Sequence, residues 1–218
     1  MSAERVRPYL AFRAARSAEE VFLADAARRA FVTVYIPMPK PPRLALGAGA
    51  LGWRGDPDAP ARVVFLTSHR GETTRGMWSV VRRLAAEPGT ALTVRPLLPQ
   101  WDPETTAVAV ALRCAAAVER GWELWESVAT RSRPPGAEEL TTLAAGLGID
   151  RAALDACATK PSSAAAVAAE STEAEGLGLD DPPVVLVDGR PFTGLQQLNR
   201  LRAVARAARR RGARPAPP

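Results

Sequence analysis

The residues best placed to do chemistry sit in one stretch, Ser68-His69-Arg70-Gly71-Glu72-Thr73-Thr74-Arg75, between an apolar run and a helical segment. His69 is the only histidine of the chain, and imidazole is the side chain whose ordinary pKa lies nearest neutrality. Ser68, Thr73 and Thr74 offer hydroxyls, and Thr73 or Thr74 is expected to cap the helix that follows. A helix start carries unpaired backbone N–H groups, which suit a carboxylate, a phosphate or a peptide C-terminus. Arg70 and Arg75 either flank such an anion or are solvated cations beside a capped helix. Trp78, on the same helix, is either an aromatic bordering this segment or part of the core. Cys114 and Cys157 stand far apart, and neither has a second cysteine three positions away, so neither heads a C-x-x-C redox pair. One histidine and two distant cysteines do not make a ligand set, so no metal is expected.

The charge pattern adds little chemistry. The net charge is +6, and Lys40 and Lys160 are the only lysines among the cations. Arg200, Arg202, Arg206, Arg209, Arg210, Arg211 and Arg214 gather at the C-terminus. Cations there complement a helix dipole. No aromatic residues interleave with them, which argues against nucleic acid as the partner. No apolar run approaches the roughly 20 residues of a membrane helix, so no membrane association is expected. Met1 to Ser17 is interrupted by Arg5, Arg7, Arg13 and Arg16 and has no apolar signal-peptide region. The expected location is the cytoplasm, or the periplasm if a leader has been removed.

These residues must be positioned by a scaffold, and 218 residues suffice for one medium domain with an appendage. Residues 3–30 carry helically spaced apolar positions (Ala18, Val21, Phe22, Ala26, Ala30), and Phe31 to Ile36 reads as a strand. Pro37, Pro39, Pro41 and Pro42 end it, so residues 1–42 form a helical appendage with a stiff proline link. The core then begins near Arg43, with Arg43-Leu44-Ala45-Leu46 as an edge strand. Arg62 to Thr67 is an apolar run typical of a buried strand. Thr74 to Ala86 reads as a helix and Ala91 to Leu98 as a second strand. From Asp102 to about Leu177 the pattern is helical, broken at Pro134-Pro135-Gly136, at Gly148 and near Pro161. Val184 to Val187 is a strand, Asp188-Gly189 a hairpin turn, and Leu195 to Arg211 a helix. The tail 212–218 is expected to be disordered. The order β-α-β, helical block, β-β-α is that of an α/β thioredoxin fold with an α-helical insertion.

Several motifs resemble, in order, those of DsbA-like thioredoxin-fold proteins. Arg54-Gly55-Asp56-Pro57-Asp58-Ala59-Pro60 resembles the family's lead-in to its first central strand. Ala111 to Ala115 with Gly121-Trp122-Glu123 resembles its alanine-rich helix and W-E motif. Glu138-Glu139-Leu140, Leu147-Gly148-Ile149-Asp150 and Leu154-Asp155-Ala156-Cys157 resemble the next two insertion helices. Pro183-Val184-Val185-Leu186-Val187-Asp188-Gly189, followed by Gly194, resembles its cis-proline strand and hairpin. The likeness covers about residues 43–208 and implies a cis peptide bond before Pro183. It also implies that Cys114 and Cys157 fall where some relatives outside the cytoplasm carry a structural disulfide. In a reducing compartment the two would instead be buried thiols.

The departures from the family matter as much. Counting back from Val80-Val81-Arg82-Arg83-Leu84 sets Gly71 at the nucleophilic cysteine and Thr74 at the resolving one. Gly71-Glu72-Thr73-Thr74 is therefore a vestigial active site with no catalytic residue of the dithiol type, since neither glycine nor threonine supplies a thiolate. The residue before the cis-proline is Pro182, which has no N–H to donate to an extended substrate. The resemblance thus implies a redox-inactive module that binds a protein or peptide partner in the groove between Gly71–Thr74 and Pro182-Pro183, without a cofactor. The alternative is a glutathione-dependent transferase or isomerase similar to the kappa type. Ser68, Thr73 or Thr74 would then activate the thiol, and Arg70 or Arg75 would hold the glutathione carboxylate. Extra N-terminal helices of some relatives mediate self-association, so a homo-oligomer through the appendage is a further expectation. Trp122 and Trp125 share a helical face and are expected to pack in the insertion.

Overall fold

A computed structural model describes residues 43–98 and 102–212, together with Ala18, Val21, Phe22 and Asp25 of an N-terminal helix. The chain divides into two compact units, Met1–Lys40 and Pro41–Pro218. The expected strand at 31–36, the proline link and most of the tail lie outside the described residues.

In the larger unit β1 (Ala61–Thr67) is followed by α1 (Gly71–Ala85) and β2 (Thr90–Pro96). The helical insertion comprises α2 (Pro103–Ala116), α3 (Gly121–Ala129), α4 (Ala137–Gly146), α5 (Arg151–Ala158) and α6 (Pro161–Glu175). The chain closes with β3 (Val184–Val187), β4 (Arg190–Thr193) and α7 (Leu198–Gly212). The sheet order is β2-β1-β3-β4, with β1 and β2 parallel and the β1–β3 and β3–β4 pairs antiparallel. This is the thioredoxin arrangement with its insertion between β2 and β3. Among the described residues no helix is long and apolar enough to cross a membrane.

The continuous apolar run of β1 has a physical cause: both faces of the strand are covered. Val63 and Phe65 face a core shared with α1, α2, α3 and α7, whereas Val64 and Leu66 face a smaller one with Leu97, Ala174, Leu179, Val184 and Leu186. Such alternation is the two-residue period of a strand, here buried on each side. Phe65, Trp78 and Trp125 interlock at centroid distances of 6.2, 5.1 and 6.1 Å, joining β1, α1 and α3. Trp125 thus packs in the core, while Trp122 is half-buried and stacks under the Arg54 guanidinium at 4.2 Å.

A second tie is polar. Arg95 of β2 is only 3% exposed and reaches Glu173 at 2.5 Å and Glu170 at 3.7 Å on α6, while Arg113 of α2 reaches Glu170 at 3.2 Å. Burial pushes the Glu170 carboxyl above its ordinary range, against the pull of Arg95 and Arg113.

Two expectations change. Arg43 to Leu46 is not a strand: Leu44 N–H donates to Gly189 O at 2.8 Å, while Leu44 and Leu46 pack on the smaller core. The last helix begins at Leu198 rather than Leu195, because Gly194 takes a left-handed φ of 68° and the chain crosses α1 before turning helical.

Candidate functional site

The register of the sheet brings the two halves of the site together. Leu66 pairs with Val184, so Pro183 lies beside the end of β1, where the chain turns through Ser68 to Arg70 into α1. The Pro182-Pro183 peptide bond is cis, and Gly194 N–H donates to Pro183 O at 2.9 Å, closing that loop on β4.

α1 starts three residues earlier than the threonines suggested. Its N-cap is Arg70, with no side-chain cap, so neither Thr73 nor Thr74 caps the helix. Thr73 and Glu72 are exposed. Thr74 is buried, and its hydroxyl donates to Arg70 O at 2.9 Å. Having given its one proton there, Thr74 Oγ1 accepts from Thr67 Oγ1 at 3.2 Å, and Thr67 Oγ1 accepts from His69 N–H at 3.0 Å. The hydroxyl of Thr74 is therefore spent on fixing the corner between β1 and α1.

His69 does not face the groove. Its backbone is left-handed, with φ 59°, and this turns the ring inward, where it is buried and meets Trp125 edge-on at 5.5 Å. Neither ring nitrogen has a protein hydrogen-bond partner. Burial lowers its pKa from 6.5 to about 4, so the imidazole is neutral at neutral pH. Trp78 likewise belongs to the core, at 2% exposure, and is not a groove aromatic.

The two flanking arginines are paired. Arg70 bonds to Asp102, whose other carboxylate oxygen accepts from Glu104 N–H at the start of α2. Burial tends to raise the Asp102 pKa, but the hydrogen bonds from Arg70 and Glu104 hold it below the ordinary range. Arg75 pairs with Glu72 at 3.1 Å. Both pairs are solvent-exposed and weak enough to yield to a ligand.

What the start of α1 and the cis-proline loop offer instead is backbone and apolar surface. The first turn of α1 carries N–H groups that no side chain caps, and Pro182, half-buried, retains a carbonyl acceptor. Leu195 is 67% exposed and lies against α1 at Gly76, while Gln196 N–H meets Met77 Sδ at 3.4 Å. Leu195 was not singled out from sequence, since it reads as the first apolar residue of a helix. Its signal was Gly194 immediately before it. Ser68 is half-buried at the end of β1.

Cys114 and Cys157 are joined by a disulfide between α2 and α5, with their Cα atoms 5.8 Å apart. It lies in the insertion, away from Gly71–Thr74.

Comparison with known proteins agrees with this architecture. Residues 62–205 match the model of the DSBA-like thioredoxin domain. No curated protein matches the chain. Among solved structures, a thioredoxin-like oxidoreductase from Silicibacter pomeroyi DSS-3 aligns at a TM-score of 0.65 and 20% identity, over 72% of this chain and 91% of that one. Oxidised BdbD from Bacillus subtilis aligns at 0.65 and 13%, over 77% and 98%. A linker-deletion mutant of Proteus mirabilis ScsC aligns at 0.63 and 12%, over 97% and 98%. At these identities the structural likeness speaks for the fold, and the family match covers most of the chain. With its four-stranded sheet, its helical insertion and its cis-proline beside the start of α1, this chain belongs to the DSBA-like thioredoxin domain family.

Proposed function

We propose that this protein, redox-inactive at the Gly71–Thr74 position where its family carries the dithiol, binds an extended segment of a partner protein in a groove between Gly71–Arg75, Pro182-Pro183 and Leu195. One observation carries the reading: Pro183 is cis and α1 starts without a side-chain cap, yet Gly71 and Thr74 supply no thiol. Dithiol exchange at that position has no nucleophile. Pro182 offers a carbonyl and no N–H, so the partner segment gives one hydrogen bond there and receives none. Leu195 adds an apolar contact.

The glutathione reading has less support. Thr74 has its hydroxyl engaged inside the corner, and Arg70 and Arg75 would each have to release a carboxylate, Asp102 or Glu72, to hold that of glutathione. Only Ser68 or Thr73 would remain to activate a thiol. The Cys114–Cys157 disulfide supports an oxidising compartment outside the cytoplasm over the cytoplasm. Val21 and Phe22, 64% and 71% exposed on the N-terminal helix, support self-association through that unit.

The test is binding of labelled, cysteine-free extended peptides, followed by fluorescence anisotropy. Leu195→Asp should weaken binding by roughly tenfold or more, as expected for loss of an apolar anchor, while circular dichroism stays unchanged. Equal affinity of the variant, or no binding of any such peptide by the wild type, would overturn the proposal.

A further inference from the structure

We propose that Cys157 Sγ is a site of exchange with low-molecular-weight thiols, and that its bond to Cys114 is the latch holding α5 onto α2. α5 has eight residues, and only Leu154 among them is buried. Its ion pair, Arg151 to Asp155 at 3.6 Å, lies within the helix and ties it to nothing else. The attachment of α5 therefore rests on one buried leucine, one covalent bond and the hydrogen bond that Ser163 Oγ of α6 donates to Cys157 O at 2.8 Å.

The two sulfurs are unequally placed. Cys114 is 4% exposed in the core, whereas Cys157 is half-buried and lines a surface cavity of about 260 Å³ with Arg113, Ala116 and Ser163. In-line attack by a thiolate is thus open at Cys157 alone. The incoming sulfur bonds to Cys157 Sγ, the S–S bond breaks, and its electron pair leaves on Cys114 Sγ, which takes a proton from solvent. A second thiolate attacks the small-molecule sulfur of this mixed disulfide and releases Cys157 as a thiolate. Two small thiols are oxidised to one disulfide, and the protein disulfide gains two electrons. The released sulfur lies just before α6, 3.7 Å from Ser163 Oγ, whose own proton is donated to Cys157 O at 2.8 Å.

The latch has a structural consequence. Leu154, Asp155 and Ala158 of α5 form one wall of a largely apolar cavity of about 460 Å³, with Val110 and Ala111 of α2 and Leu140 of α4 opposite. Opening the bond loosens that wall, so the thiol state of Cys114 and Cys157 sets whether the cavity is formed.

The experiment treats the oxidised full chain with graded glutathione redox buffers, quenches with acid, alkylates free thiols and locates the modification by tandem mass spectrometry. Glutathione is expected on Cys157, with Cys114 recovered as the free thiol. Hydrogen exchange of residues 151–158 is expected to accelerate about tenfold or more on reduction, as for a helix that opens locally, with β1 to β4 unchanged. The C114S/C157S variant, which has no thiol chemistry, should exchange like the reduced protein. Glutathione on Cys114, a bond that reacts only in denaturant, or unaltered protection of α5 in the reduced protein or the variant would each overturn the proposal.

Discussion

Acidifying the folded protein should cost it stability through one side chain. His69 is buried with both ring nitrogens unpartnered by protein, and burial lowers its pKa from 6.5 to about 4. Around it are Trp125 of α3 and a small cavity that also borders Arg95, Arg113 and Glu170. The folded state keeps this imidazole neutral, whereas the unfolded chain takes up a proton once the pH drops below about 6.5. The stabilisation is complete above the unfolded pKa and is lost as pH falls toward the folded one. At about 1.36 kcal/mol per pKa unit the difference amounts to about 3 kcal/mol, most of it between pH 6.5 and 4.5. That window is clean because the chain has no other histidine and because carboxylates titrate mainly below it. Glu170, whose carboxyl burial raises, acts in the opposite sense: its share of stability is present at low pH and lost as pH rises. The assay is urea unfolding at pH 7.5, 6.5, 5.5 and 4.5, in the wild type and in His69→Asn, which tolerates the left-handed backbone. The wild type should lose about 2–3 kcal/mol across the series. The variant, less stable throughout, should lose less than about 1 kcal/mol. Parallel slopes in the two proteins, or an NMR titration placing His69 near its ordinary pKa, would refute the reasoning.

Three further outcomes follow from the packing. Arg95→Met should cost about 3 kcal/mol by denaturant melting, because Glu170 loses a buried partner; adding Glu170→Gln should restore part of that loss. Gly189→Ala should destabilise by about 1 kcal/mol or more in thermal melts, since φ there is 74° and the new Cβ would sit 2.7 Å from Leu44 O. Removing the disulfide should cost up to about 4 kcal/mol by chain entropy for a separation of 43 residues, read as a shift in the urea midpoint; no shift would show that the bond constrains nothing in the unfolded chain.

The fold was legible in the sequence where a local pattern had one physical solution. The uninterrupted run Val63 to Leu66 needs cover on both faces, and the prolines and glycines around the helical block mark breaks that the structure keeps at 134–136, 148 and 161. The site was less legible because its decisive contacts are tertiary. Thr73 and Thr74 look like caps, yet Thr67, brought close only by the β1–α1 corner, draws the Thr74 hydroxyl inward. The partner of Arg70 is Asp102, 32 positions away at the N-cap of α2. No local pattern tells that a left-handed turn at His69 aims the ring at Trp125. Arg43 to Leu46 has strand composition but only a single ladder-like bond to Gly189, too little to pair. The Glu72–Arg75 pair has i,i+3 spacing, but a helix read as starting at Thr74 left Glu72 outside it.

The central claim is that the groove at the start of α1 binds peptide without thiol chemistry. Its most direct test is a titration of the isotopically labelled protein with short extended peptides and, separately, with glutathione, following backbone amide shifts by NMR. The account predicts saturable shifts confined to residues 70–76, 182–185 and 193–196 with peptide, and none there with glutathione. Shifts in that groove with glutathione alone, or silence there with every peptide while other surfaces respond, would contradict it.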